Sequence, residues 1–307
     1  MKPLLIVNPT SAAGRTGRRF DTIAAAVRGA VGDLEARFTE AVGHGVELAR
    51  EAAAGGRALV VAVGGDGTAS EVIDGLVHGS YRGQFGFIPC GTGGDLRRTL
   101  NIPRDLPGAV QALGAGAPRT IDLGLVEFTG HDGRPARRHF ANVSSCGLSG
   151  VVVDRVNRSS KVLGGRLTFK LASARALLGW HDQRVRWRAD GGAWTELPIT
   201  AFSVCNARYF GGGMLVAPEA RLDDGLLDVT IWSGFGIADF VLQQPKLYDG
   251  RHVQLSKTRT LRARTVEVEP LGDAPVLIEA DGELPGRLPA RFTVLPGALT
   301  LRGRAAP

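Results

Sequence analysis

Residues 58–63 form an unbroken apolar run that passes straight into Gly64-Gly65-Asp66-Gly67-Thr68, and from residue 69 to 77 apolar side chains recur at helical spacing. A continuous apolar run of this length is the pattern of a central strand in a parallel sheet, where helices cover both faces. Strand, tight glycine turn and helix in that order commit the first part of the chain to βαβ architecture. The rhythm repeats on either side. Strands are expected at residues 4–7, 34–38 and 85–88, and helices at 18–30, 46–54, 95–100 and 106–113.

After about residue 120 the pattern changes to short strands separated by turns such as Asp132-Gly133 and Asp190-Gly191-Gly192. Strands are expected at 121–128, 138–143, 184–187, 200–205, 227–233, 264–269, 276–280 and 291–295, with helices near 151–157 and 166–178. The expected fold class is therefore α/β plus β: a Rossmann-like parallel-sheet domain over 1–120, then a mainly antiparallel β domain over 121–307 whose last residues can return to the first. A length of 307 residues suits two domains.

The net charge of +7 favours anionic partners, but no run of five basic residues occurs and aromatic residues make up 6%. That combination argues against nucleic acid as a partner. Cys90, Cys146 and Cys205 are odd in number and widely spaced, which suits buried free thiols rather than zinc or a disulfide framework. The apolar run at 4–7 is too short for a signal-peptide core, and no stretch approaches the roughly 18 apolar residues of a membrane span, so the expected compartment is the cytoplasm.

The glycine turn after the central strand lets the backbone approach a ligand closely, and the helix that follows offers its first N–H groups to phosphate. Asp66 would repel phosphate unless a divalent cation lay between them, which suggests Mg²⁺-nucleotide chemistry; a tight turn with Asp66 as N-cap is the simpler alternative. A second glycine loop, Cys90-Gly91-Thr92-Gly93-Gly94-Asp95, follows the next strand. The first strand ends in Asn8-Pro9-Thr10-Ser11 and the second at Thr39. Four strand ends thus place small polar groups on one rim, where open α/β sheets bind ligands. Neither glycine loop contains the lysine of a Walker A motif, the first strand lacks the dinucleotide fingerprint, and there is no H-E-x-x-H or G-x-S-x-G.

Taken in order, Asn8-Pro9-x-Ser11, Gly64-Gly65-Asp66-Gly67-Thr68 with Glu71, Gly91-Thr92-Gly93-x-Asp95, Gly211-Gly212-Gly213-Met214, Asp223-Asp224-Gly225-Leu226-Leu227-Asp228 and Asp281-Gly282-Glu283 resemble the diacylglycerol kinase catalytic family. The resemblance is strongest to its bacterial soluble lipid kinases, with sphingosine, ceramide and, more distantly, NAD kinases as relatives. It implies an ATP-dependent lipid kinase with a β-sandwich lipid domain and an active site in the interdomain cleft. The γ-phosphoryl of Mg-ATP would pass to a hydroxyl of a diacylglycerol-like lipid, giving a phosphatidate-type product.

On this resemblance Asn8, Pro9, Thr10, Ser11, Gly14, Thr39, Gly65, Asp66, Gly67, Thr68, Ala69, Ser70, Glu71, Thr92 and Asp95 correspond to ATP-binding positions. Asp66, Asp95 and Asp122 would organise Mg²⁺, and a structural Mg²⁺ would sit on Asp224 with the Arg221 and Leu226 carbonyls. Glu283 matches the general base. The chain departs from the family pattern at Gly94, usually asparagine, at Ser70, usually asparagine, and at Ala12, usually glycine. The resemblance also carries a homodimer as an expectation, though no residue argues for one. A membrane-visiting enzyme needs a docking face at the inner membrane surface, and the segment 151–180 with Arg155, Arg158, Lys161, Arg166, Lys170 and Arg175 is the candidate. The alternatives are an NAD kinase-like enzyme and a catalytically impaired nucleotide- or lipid-binding protein.

Overall fold

The computed structural model describes residues 1–158 and 173–303. The chain divides into two units, Met1–Asp122 with Pro296–Pro307, and Leu123–Leu295.

The first unit is built on strands β1 (Leu4–Val7), β2 (Glu35–Phe38), β3 (Leu59–Gly64) and β4 (Gln84–Pro89). They pair in parallel in the order β2-β1-β3-β4, with Val7 beside both Phe38 and Val63. All six residues of β3 are buried, as its apolar run requires. The helices are α1 (Arg15–Arg18), α2 (Phe20–Val31), α3 (His44–Ala54), α4 (Asp66–His78), α5 (Asp95–Thr99) and α6 (Leu106–Ala115). Helix α6 begins at Asp105, whose side chain accepts from the Gly108 amide at 2.8 Å as an N-cap should.

Helices α3 and α4 pack closely at Gly75, where an added Cβ would meet the Val46 carbonyl oxygen and lie 2.7 Å from the Ala49 methyl. Gly75→Ala should therefore lower unfolding stability by about 1–3 kcal/mol, as overpacking does, read from a denaturant midpoint. An unchanged midpoint would contradict this packing.

The second unit contains β5 (Pro118–Gly130, from Leu123), β6 (Pro135–Phe140), β7 (Val143–Gly147), β8 (Gln183–Ala189), β9 (Thr195–Ile199), β10 (Ala201–Cys205), β11 (Leu227–Trp232), β12 (Thr258–Ala263), β13 (Thr265–Pro270), β14 (Leu277–Ala280) and β15 (Glu283–Arg302, to Leu295). Strands β12-β11-β10-β7-β14-β15 run antiparallel in that order, and β13 joins β15 to β8. Strand β10 shows why both its faces are apolar: Phe202 and Val204 enter one core cluster, Ala201 and Cys205 another. Helix α7 (Leu148–Arg158) follows β7 directly, and helix α8 (Ile237–Asp249) covers the second cluster with Leu247. The last residues of β15 belong to the first unit, where Thr300 and Leu301 pair in parallel with Gln84 and Phe85.

Several elements differ from expectation. The stretch 138–143 spans the end of β6 and the start of β7 rather than one strand, and α8, β9 and β12 carry no expectation at all. Helix α8 contains Pro245 and buries only Leu247, so neither a clean apolar stripe nor an uninterrupted helical composition announces it. Most of the helix expected over 166–178, with Lys161, Arg166 and Lys170 of the docking segment, lies outside the described residues; 173–177 is helical. Cys146 and Cys205 are buried and Cys90 half-buried, all as free thiols.

Candidate functional site

The first unit brings its two glycine loops into contact. The Gly64 carbonyl oxygen accepts from the amides of Cys90 and Gly91, and a Cβ on Gly91 would lie 2.5 Å from the Gly65 Cα. Asp66 reinforces this link. Its Oδ2 accepts from the Gly94 amide at 2.7 Å and the Asp95 amide at 2.9 Å, so the carboxylate is turned across to the second loop instead of capping its own helix. Gly65 is the N-cap of α4 and no side chain among the described residues caps that end, which leaves the first-turn amides free for an anion. Burial pushes the Asp66 carboxyl up, while the two amides and the Arg97 and Arg98 charges pull the other way.

Gly94 sits at φ +90° and donates its own amide to Asp66. That left-handed position suits glycine and, among other residues, asparagine best, which explains how glycine stands here without loss of the backbone contact. Arg97 and Arg104 line the small hollow beside Gly65, Asp66 and Gly93. Burial draws the Arg97 guanidinium down, with Arg98 and Arg104 adding to it. Sequence reasoning misses both arginines, because a basic residue next to a glycine loop is common in any surface turn.

The remaining rim residues serve largely to shape loops. Asn8 Oδ1 accepts from the Thr10 amide and hydroxyl, and the Ser11 and Thr16 hydroxyls lie 2.5 Å apart. Ala12, Ala13 and Gly14 all take positive φ, so the first loop holds two alanines in a conformation glycine would adopt freely. Thr39 is buried and its amide bonds the Val7 carbonyl oxygen. Glu71 spans the start of α3, its two oxygens accepting from the Gly43 and Gly45 amides at 2.9 and 3.0 Å. Thr68, Ala69 and Ser70 are buried in α4, with the Ser70 hydroxyl lacking a partner among the described residues, while Thr92 is exposed at the second loop's tip. Pro9 backs the first loop through its carbonyl oxygen, bonded by the Gly17 amide, and Gly67 lies in the first turn of α4.

The acidic residues fit a magnesium ion unequally. Asp66 keeps Oδ1 free of protein hydrogen bonds among the described residues and fits as a ligand. Asp95 Oδ1 pairs with Arg98 Nη1 at 2.6 Å, and Asp122 Oδ1 accepts from the Gly297 amide, tying the returning strand. Asp224 has both oxygens in use, Oδ1 on the Leu226 amide and Oδ2 on the Arg262 guanidinium. Arg262 Nε also lies 3.6 Å from Asp228, whose carboxyl burial pushes up to about 6 against the pull of Arg262. The Arg221 side chain points to Asp223. As arranged, the Arg262 guanidinium neutralises the Asp224 carboxylate.

In the second unit, Asp281 and Gly282 have φ of +50° and +85° and join β14 to β15 with Ala280 opposite Glu283, the geometry of a two-residue hairpin of type I′. Asp281 accepts from the amides of Ala141, Asn142 and Val143, which fixes the turn and with it Glu283. Glu283 is half-buried with Arg138 Nη1 3.9 Å away, and Arg138 keeps Nε and Nη2 buried without a hydrogen-bond partner among the described residues. Arg138, too, carries no mark in the sequence that singles it out.

The same unit carries an open apolar pocket. Its wall includes Val152, Leu177, Phe210, Met214, Trp232 and Leu247, with hydroxyls, among the described residues, from Ser149, Ser173 and Thr200. Thr200 is spent on Asp182 and the Phe235 amide.

Two family models match: the diacylglycerol kinase catalytic domain over residues 2–126, and the YegS C-terminal NAD kinase beta sandwich-like domain over 142–303. A Mycobacterium tuberculosis protein named "Diacylglycerol kinase" is 31% identical over 306 residues, covering 97% of this chain and 94% of its own. The chain belongs to the diacylglycerol kinase family. A Pseudomonas aeruginosa protein named "Probable lipid kinase YegS-like" is 34% identical over 276 residues, 90% of this chain and 86% of its own, in keeping with the bacterial branch. Two crystal structures from Bacillus anthracis str. Sterne share the fold, at TM-scores of 0.81 with 25% identity and 0.74 with 23%. They cover 99% of this chain and 95% and 97% of their own, and the second is described as a diacylglycerol kinase. The enzyme is thus a lipid kinase. No helix among the described residues is long and apolar enough to cross a membrane.

Proposed function

We propose that this lipid kinase uses ATP and magnesium to phosphorylate the hydroxyl of a diacylglycerol-like lipid. The observation that carries the acceptor's chemistry is the pocket of the second unit, whose wall among the described residues is predominantly apolar. Such a wall suits an acyl chain and offers nothing to the charged, sugar-rich acceptor of an NAD kinase. The uncapped start of α4 suits nucleotide phosphates, with Arg97 and Arg104 adding positive charge.

Phosphoryl transfer asks chiefly for positioning and charge neutralisation. A bound magnesium ion would supply shielding of the phosphate charge, and Asp66, whose Oδ2 is taken by the Gly94 and Asp95 amides, would hold it through Oδ1. The α4 amides hold and orient the phosphates. Glu283 takes the proton of the lipid hydroxyl as its oxygen bonds to the γ-phosphorus and the bond to the nucleotide's bridging oxygen breaks. The net charge of +7 and the exposed Leu178, Val241 and Leu242 suit peripheral, reversible docking on anionic lipid at the inner membrane face. The impaired-protein alternative rests on Gly94 and Ser70. Gly94 keeps its backbone contact to Asp66, which weakens that reading.

Val152→Phe tests the pocket. Filling it should move the preferred substrate toward shorter acyl chains, raising the KM for long-chain lipid about tenfold and leaving the KM for ATP unchanged. An unaltered chain-length profile would remove the pocket from substrate binding.

A further inference from the structure

The side chain of Arg97 lies across Gly94. A Cβ at position 94 would come 2.8 Å from Arg97 Nε, 3.3 Å from its Cγ and 3.4 Å from its Cδ, so a side chain there and the present path of the arginine exclude each other. Gly94 is one of the chain's departures from the family pattern, and its bare Cα is what leaves Arg97 room. Arg97 is half-buried and lines the hollow beside Gly65, Asp66 and Gly93, next to the uncapped start of α4. Its Nη1 donates to the Ile102 carbonyl oxygen at 3.3 Å, a long bond that anchors the guanidinium without neutralising it. No carboxylate among the described residues forms an ion pair with it: Asp95 is taken by Arg98 at 2.6 Å, and Asp66 has Oδ2 on the Gly94 and Asp95 amides. Arg104 lines the same hollow and adds a second cation. A guanidinium does not shed its proton, so this corner of the site keeps a positive excess that an anion from outside would offset.

We propose that Arg97, given room by Gly94, is a phosphate-binding residue for the nucleotide, its guanidinium gripping the phosphate chain beside the α4 amides where a side chain at position 94 would otherwise stand. The inference rests on the nucleotide reading of the proposed function and goes further by naming a residue pair. A planar guanidinium offers a phosphate two parallel, charge-assisted hydrogen bonds, whereas a neutral amide at position 94 would offer weaker ones. The two positions are therefore coupled. Arg97 keeps its place only while residue 94 has no side chain, and a glycine at 94 costs the site little only while residue 97 is an arginine.

The test is a double-mutant cycle read by titration calorimetry on the full chain, with Mg-ATP and magnesium tripolyphosphate as ligands. Arg97→Ala should weaken both by about 10–100-fold, the worth of hydrogen bonds to a charged group, and leave the KM for lipid unchanged. Gly94→Asn should weaken them nearly as much by displacing the arginine, since asparagine tolerates the left-handed backbone at that position. Added to Arg97→Ala, Gly94→Asn should cost nothing further, because the group it displaces is already gone. Arg97→Lys, which keeps the charge but not the fork, should fall between wild type and Arg97→Ala. Melting temperatures should stay near wild type throughout, as the Arg97 side chain has one protein hydrogen bond among the described residues. Wild-type affinity for tripolyphosphate in Arg97→Ala, or losses in the two single variants that simply add in the double, overturns the proposal and leaves the lipid kinase reading intact. A raised KM for lipid with Mg-ATP binding unchanged would place Arg97 at the acceptor and overturn it as well. A wild type that binds no Mg-ATP overturns both readings.

Discussion

Asp66→Ala should lower lipid phosphorylation by about 10³-fold, and Asp66→Asn should lower it nearly as much with little effect on folding. The two variants separate two roles of one side chain. Asp66 Oδ2 ties the second glycine loop to the first through the Gly94 and Asp95 amides, and Oδ1 carries no protein hydrogen bond among the described residues. Asparagine can keep its oxygen on both amides, so the loops stay joined, but it removes the charge that would hold a divalent cation. Alanine loses both, leaving two amide donors without their acceptor at about 1–3 kcal/mol each. The expected pattern is a melting temperature near wild type for Asp66→Asn, lower for Asp66→Ala, and activity low in both; the magnitude follows that of removing one electrostatic contributor to a transition state, about 10²–10³. An active Asp66→Asn enzyme would confine Asp66 to loop joining.

The second large effect belongs to Glu283. Glu283→Gln should reduce kcat by about 10²–10⁴-fold, the usual contribution of a general base, with ATP binding intact. The amide keeps the shape of the side chain, and the hairpin is held independently by Asp281 on three backbone amides, so the fold should not respond. Single-turnover rates with saturating ATP measure the step directly. Turnover near the wild-type rate would take the proton-accepting role away from Glu283 and direct attention to other groups around Arg138.

The first unit is easy to read because each of its signals is local. A fully buried parallel strand such as β3 is an apolar run whatever surrounds it, and the loops after β3 and β4 are marked by glycines that allow the Gly65–Gly91 approach and the positive φ of Gly94. What the carboxylates do is not legible, since partners distant in sequence decide it. Glu71 is occupied by Gly43 and Gly45, Asp122 by Gly297, and Asp224 by Arg262. The second unit hides its helix α8 behind Pro245 and a single buried leucine, and β12 behind a pattern that exposes Arg259, Thr260 and Arg262 without alternation while pairing with β11. Arg138 and Glu279 escape a reading of the sequence because a charged residue on a strand is ordinarily a solvent-facing one; only burial distinguishes them.

Transfer of labelled γ-phosphate from magnesium-ATP to a panel of lipids in mixed micelles tests the central claim most directly. The enzyme should place label in the organic phase with a diacylglycerol-like lipid, and Asp66→Ala should place almost none there. Label that stays in the aqueous phase with every hydroxyl-bearing lipid, from a folded protein that still binds ATP, would contradict the assignment of a lipid acceptor.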